Sequence, residues 1–339
     1  MTNPSRTAIG PRTSRSTTGT TRTSRAVRPR RAQRLFAAAT AIALGTTLAA
    51  CSSTASGSAP SSDTADHGKG GIALSWIKNY EFAGYFEADK KGYYTKDGFS
   101  NVDLIAGGGQ TNSWDTVLQG GADFGLASDL VGVSTSINQG ADLAVVGAQF
   151  VKSPVGIVSL AGNPIRSVDD MKGKVFGVDS GGKLGIEALL KANGKPADWV
   201  RFESVPNGID PLMDYKVDAL VGFLTNYPIA VKEAGGDPVV LSYSDAGYAQ
   251  VGDAVVVKRS ALKDPTQRAK IKALLQASIQ GWNDTMKNQS TIPDLAMEYG
   301  KGNDLDRSLQ EASAAVLPTF MITSDTAKHG LFTVSDELA

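Results

Sequence analysis

The sequence predicts an α/β protein in two successive units, carried out of the cytoplasm by an N-terminal leader. Three observations predict it. The first fifty residues hold nine arginines and no acid, and they end in an apolar run, Leu35–Ala50, directly before Cys51. From Gly71 onward, short apolar runs alternate with helical patterns, the βαβα rhythm of a sheet covered by helices. The rhythm then restarts near Ser167.

A basic stretch, an apolar stretch and small residues at the junction make a secretory signal over residues 1–50, too short for a membrane span. Arg30-Arg31 fits a twin-arginine export signal and fits equally a chance pair in an Arg-rich leader. Cys51, the single cysteine, stands where a bacterial lipobox places the lipidated residue. The plainer alternative is a secreted protein with a stray cysteine. Two or more acyl chains on one residue anchor stably, whereas one binds marginally. Residues 52–70 are small and polar, cannot offset their ordering entropy by burial, and read as a tether that includes His67.

Composition then narrows the function classes. Removing the nine leader arginines from 34 Lys and Arg leaves 25 cations against 34 acids, a net charge near −9. That balance disfavours nucleic acid, which needs clustered cations. With Cys51 lipidated no thiol remains for disulfides, thiolate metal sites or a nucleophile. The only histidines are His67 and His329, and no nucleophile elbow, zinc motif or phosphate loop is present. Catalysis lacks a visible site.

In chain order, Ile72–Ile77 reads as a strand, followed by a helix over Phe82–Lys91 that Gly92 closes. Val102–Ala106 is the next strand, then the Gly107–Gly109 turn, then a helix with Trp114, Val117 and Leu118 on one face. Ala122–Ala127 is a third strand, and Leu130, Val133 and Ile137 mark the helix after it. Leu143–Phe150 and Val155–Leu160 are continuously apolar, the pattern of parallel strands buried on both faces. The second unit takes Val175–Val178, a turn at Ser180–Gly182, a helix ended by Gly194, and a strand over Val200–Val205. A short helix from Asp210-Pro211 and strands Ala219–Phe223 and Val239–Tyr243 follow. The Asp253–Val257 run leads to a long helix, with Asp264 as N-cap, Pro265 first and Gln267 at capping-box spacing. Leu305, Leu309, Ala312 and Val316 form a last amphipathic helix that Pro318 stops.

Polar and aromatic residues gather at the C-terminal ends of these strands. Trp76, Asn79, Tyr80, Glu81, Phe82 and Tyr85 crowd the first junction. Gln110, Ser128 and Gln149-Phe150 follow the later strands of the first unit, with Ser180, Gly181, Gly182, Asn226 and Tyr227 in the second. In open α/β sheets that edge faces the crevice where ligands bind. Each feature also has a plainer reading: the aromatics as core, the glycines as tight turns, Ser180–Gly182 as an N-cap.

Several segments carry a family resemblance. They are Trp76-Ile77-Lys78-Asn79, Phe82-Ala83-Gly84-Tyr85, Ala88 through Gly92-Tyr93-Tyr94, Gly98, and Leu118 through Gly125. Ser167 through Lys174 and Val217-Asp218-Ala219 complete the set. On them the chain resembles a solute-binding protein of an ATP-binding-cassette importer. The branch binds thiamine pyrimidine precursors, with sulfonate, nitrate, taurine and riboflavin binders nearby. The resemblance implies a two-lobe, periplasmic-binding-protein-like (type II) fold with hinge strands and a ligand cleft between lobes. Residues 71–160 and 247–339 would make the first lobe, and 161–246 the second. It further implies a lipid-anchored monomer without cofactor that hands a small molecule to a membrane permease. Carried over by position, Trp76 and Phe82 flank a flat ring, and Asn79, Gln110, Ser128, Gln149 and Asn226 read its polar edges. The backbone of Ser180–Gly182 would take a carbonyl or anionic group.

Two departures matter. The pyrimidine-binding pattern often carries His just after the first Asn, where this chain has Tyr80-Glu81-Phe82. A glutamate there accepts N–H groups and repels sulfonate or nitrate, so a neutral or cationic nitrogen heterocycle is favoured. A sulfonate binder would want Lys or Arg at the cleft, and Lys78 and Lys183 are the nearby candidates. Pyrimidine-making enzymes on this fold use an active-site His with lysine-bound pyridoxal phosphate; the missing His and the export signal argue against that role. Relatives also continue past the stretch matching 330–339, so either the last helix of the first lobe is absent or the chain is truncated.

Overall fold

The structure, a computed structural model, describes residues 65–108, 111–128, 130–178 and 180–334. The leader, Cys51, most of the expected tether and Gln110 lie outside these residues. The described residues belong to one compact unit.

The first half runs β1 (Gly68–Ala73), α1 (Ala83–Lys90), α2 (Tyr93–Lys96), β2 (Phe99–Ile105), α3 (Ser113–Leu118), β3 (Phe124–Ala127), α4 (Leu130–Asn138) and β4 (Leu143–Phe150). Next come β5 (Val155–Leu160), β6 (Val175–Val178), α5 (Ser180–Ala192), β7 (Arg201–Ser204), α6 (Asp210–Met213), β8 (Ala219–Phe223), α7 (Tyr227–Glu233) and β9 (Pro238–Ser242). The chain closes with β10 (Gly252–Lys258), α8 (Pro265–Lys287), α9 (Ile292–Tyr299), α10 (Arg307–Val316), α11 (Pro318–Met321) and α12 (Ser324–His329).

Two five-stranded sheets result, ordered β2-β1-β3-β10-β4 and β7-β6-β8-β5-β9. They are mixed rather than wholly parallel, because each receives one strand from across the molecule. β10 returns from the second sheet and runs antiparallel between β3 and β4. β5 arrives from the first sheet and runs antiparallel between β8 and β9. Val155–Leu160 is thus a strand of the second sheet, not the end of a first unit reaching residue 160. The two connections that make these crossings touch, with Ser153 N–H donating to the Gln250 carbonyl at 2.9 Å.

Two further expectations change. β4 is an edge strand, and its Val145 and Val146 are 43% and 39% exposed, so its apolar run is not buried on both faces. β1 begins at Gly68, inside the expected tether, and His67 already donates its N–H to the Gly98 carbonyl and sets its ring 5.1 Å from Phe99.

The first core gathers beneath α1 and α8. Asp264 caps α8 by accepting from Thr266 and Gln267 N–H, and Pro265 at the first position gives up no needed donor. Where α1 and α8 cross, Gly84 meets Gly281 backbone to backbone; a Cβ at Gly84 would collide with the Trp282 ring, and one at Gly281 with the Gly84 carbonyl. Trp282 is fully buried there. The second core packs Phe176, Ile186, Leu189 and Leu190 between β6 and α5.

Candidate functional site

The site is built on one end of the first sheet. β1, β3 and β4 finish at this edge and β10 starts at it. Ala254 pairs with Ala127 on one side and Ala148 on the other. One residue back, Asp253 therefore lies across from Ser128 of the β3 end and from Gln149 of β4. The loops after β1 and β2 close the row, with Gly107 N–H donating to the Trp76 carbonyl at 2.9 Å. Gly107 fits only without a Cβ, which would stand 2.5 Å from the Leu74 carbonyl oxygen. Trp76 is half-buried beside these glycines and packs partly on the first core.

Asn79 opens a single 3-10 turn over Tyr80–Phe82, its Oδ1 accepting from Glu81 N–H at 2.8 Å. That turn points Glu81 at the sheet end. Its carboxyl accepts from Ser75 Oγ at 3.2 Å, and its backbone carbonyl accepts from Gln149 Nε2 at 2.9 Å. Glu81 is 4% exposed, Gln149 1% and Asp253 0%. Among the described residues neither carboxylate oxygen of Asp253 meets a donor, and Gln149 Oε1 also goes without one. The neighbour of the Asp253 carboxyl is instead the Glu81 carboxyl. Burial raises Glu81 well above the usual carboxylate range, and the adjacent Asp253 charge raises it further. Burial also raises Asp253. Among the described residues no cation is among the groups acting on this pair, so burial and the like charge both favour the protonated form. Asp253 keeps φ +46°, a left-handed conformation that L residues rarely hold.

The second sheet covers this edge. Tyr80 OH and Thr225 Oγ1 are 2.8 Å apart, and the Tyr80 N–H donates to Gln310 Oε1 of α10 at 3.0 Å. Phe150, at the end of β4, meets Phe223, at the end of β8, edge to face at 6.1 Å. α4 packs on α5 from across the crossings.

The residues singled out in the sequence divide accordingly. Trp76, Glu81, Ser128 and Gln149 share the sheet end. Asn79 is there too, its side chain engaged in capping. Phe82 and Tyr85 are core residues at 0% exposure, with Tyr85 edge-on to Trp282 at 6.0 Å; the turn that directs Glu81 outward sends Phe82 inward. Phe150 is buried against the second sheet. Asn226 and Tyr227 are half-buried at the start of α7, where the Tyr227 ring fills the space over Gly222. Ser180, Gly181 and Gly182 form the first turn of α5 rather than a free turn, with Gly182 half-buried. Lys78 borders a hollow with Asp89 and Tyr299, and Lys183 lies along Glu187 and Phe202.

Asp253, Thr225 and Ser75 are not singled out by the sequence. Asp253 carries the one usable signal, a lone acid at the head of the apolar run Ala254–Val257. Among the described residues no group of three His, Cys, Asp or Glu is placed to hold a metal.

The model of the NMT1/THI5-like family matches residues 79–292, well over half of the chain and spanning both sheets. The chain belongs to that family. Riboflavin-binding protein RibY of Chloroflexus aurantiacus is 25% identical over 274 residues, 77% of this chain and 75% of RibY. Among solved structures, the alkanesulfonate-binding protein SsuA of Xanthomonas axonopodis pv. citri, bound to MOPS, aligns with TM-score 0.57 at 14% identity. That alignment covers 74% of this chain and 84% of SsuA. A Candida albicans protein with the generic periplasmic binding protein fold aligns with TM-score 0.54 at 15% identity, over 73% and 80% of the two chains. This NMT1/THI5-like protein therefore has the periplasmic binding protein fold.

Proposed function

We propose that this protein is an extracytoplasmic solute-binding protein of an ATP-binding-cassette importer, and that its two sheet units close on a flat nitrogen heterocycle. A pyrimidine-type vitamin precursor or a flavin is the cargo class. One observation carries the choice: the sheet end facing the second unit is acceptor-rich, with Glu81, Asp253 and Gln149 buried and, among the described residues, no cation acting on the carboxyls. Such a site rewards N–H groups and penalises anions. The half-buried Trp76 ring beside it suits a flat ligand. The paired crossings at Ser153 and Gln250 supply the pivot, and the ligand's contacts to both units would favour the closed state.

Binding rather than catalysis fits the side chains. His67 lies at the start of β1, the far end of the sheet, and His329 is exposed at the end of α12. The rival reading is a sulfonate, nitrate or taurine binder, which the fold of SsuA keeps in view. Against it, Lys78 borders the hollow beside Asp89, and Lys183 lies along Glu187 and Phe202. Cys51 would tie the protein to the outer face of the membrane, where it works with its permease.

The direct test is mass spectrometry of small molecules that co-purify with the protein. A nitrogen heterocycle is expected, and an alkanesulfonate or nitrate would overturn the reading. The anchor is tested by Cys51→Ala, which should move the protein from the membrane to the soluble fraction; a variant that stays on the membrane refutes lipidation.

A further inference from the structure

The acceptors at the sheet end ask for a particular donor pattern. Asp253 presents two carboxylate oxygens and Gln149 one amide oxygen, all buried and, among the described residues, without a hydrogen-bond partner, from neighbouring strands on one row. Ser75 supplies a single hydroxyl, already given to Glu81. Among the described residues the titratable groups facing the pair are Tyr80 and Tyr85, whose hydroxyls burial holds in the neutral form. Among the described residues nothing at this place delivers two parallel N–H groups to a carboxylate, the arrangement that Arg makes elsewhere.

We propose that Asp253 is a ligand-binding residue, and that with Glu81 and Gln149 it takes the amidine edge of a heterocycle, a ring nitrogen beside an amino group. The inference rests on the nitrogen-heterocycle reading above. Before binding, one proton lies between the two carboxyls and the pair carries one negative charge. On binding, that proton passes to the lone pair of the ring nitrogen, leaving two carboxylates around a cationic ring. Net charge is conserved, and no proton is drawn from solvent. The ring N–H and one amino N–H then face a carboxylate, and the second amino N–H faces Gln149 Oε1. Separating Tyr80 from Thr225 and Phe150 from Phe223 opens the route, because those two contacts cover this edge.

The test uses the purified full chain and 4-aminopyrimidine labelled with ¹⁵N in the ring, at neutral pH where the free base is uncharged. The bound ring nitrogen should resonate as the protonated form. Pyrimidine, which lacks the amino group, should bind at least tenfold more weakly. In Asp253→Asn, which keeps the shape, bound ligand should resonate as neutral and affinity should fall at least tenfold. A neutral bound ring in the unsubstituted protein, or equal affinity for pyrimidine, overturns the inference and leaves the heterocycle reading standing. An absence of binding to 4-aminopyrimidine, with tight binding of an alkanesulfonate, overturns both.

Discussion

The Tyr80 hydroxyl and Thr225 Oγ1, 2.8 Å apart, join the two sheets directly above the buried carboxyl pair. Thr225 is fully buried, so the bond is shielded from competing water. A net stabilisation of about 0.5–1.5 kcal/mol is typical for such a bond. It acts between the units rather than within either of them. Tyr80→Phe should therefore loosen closure while leaving each sheet intact. The expected results are a larger radius of gyration for the ligand-free protein in X-ray scattering and a few-fold weaker ligand affinity. An unchanged radius would place this contact within a rigid body.

The α1–α8 crossing sets a packing limit. Gly281 sits mid-helix, where Ala is ordinarily about 1 kcal/mol better. Here a Cβ meets the Gly84 carbonyl and the Ala88 backbone, neither of which can swing aside. Overpacking of this kind costs about 1–3 kcal/mol, so the steric cost wins. Gly281→Ala should lower the urea midpoint, and a raised midpoint would contradict the close crossing.

The carboxyl pair should also leave a mark on stability. Glu81 and Asp253 are acids raised above their ordinary 4.5 and 3.8. Between those values and the folded ones, the folded protein keeps protons that the unfolded chain has released. Their contribution is complete below the ordinary values and is lost as pH rises through the raised ones. Ligand-free stability should decline with rising pH in urea titrations. Glu81→Gln should flatten that decline.

Trp76 separates pocket from core. Its ring is half-buried at the sheet end, and stacking adds about 0.5–1.5 kcal/mol beyond area burial. Loss of the whole ring also removes the pocket wall. Trp76→Ala should weaken ligand binding at least tenfold, about 1.4 kcal/mol, with little change in the melting temperature of the ligand-free protein. Unchanged affinity with a large loss of stability would assign Trp76 to the core.

Much of this architecture is legible in the chain because it is written locally. Leu143–Phe150, Val155–Leu160, Val175–Val178 and Ala219–Phe223 have strand bounds equal to their apolar runs. Asp264 and Pro265 mark the start of α8 by short-range chemistry. Strand pairing is not local: nothing in the β-propensity of Val155–Leu160 or Gly252–Lys258 says that each crosses to the other sheet. For the same reason Asp253 is invisible as a neighbour of Glu81, since 172 residues separate them until β10 inserts between β3 and β4. Phe82 and Tyr85 join the core rather than the sheet end because one turn holds both faces of the junction, and the 3-10 geometry over Tyr80–Phe82 decides which way each points.

The measurement that bears most directly on the account is calorimetric titration of the unsubstituted protein and Glu81→Gln with two ligand classes. The nitrogen class is riboflavin and a 4-aminopyrimidine vitamin precursor; the anion class is taurine and nitrate. Charge-assisted bonds contribute about 1.5–3 kcal/mol when buried, or roughly ten- to a hundredfold in affinity. The account predicts that the unsubstituted protein binds a member of the nitrogen class, that Glu81→Gln weakens that binding by such a factor, and that the anions gain or stay weak. Tight binding of taurine or nitrate to the unsubstituted protein, with no loss for any heterocycle on substitution, would contradict it.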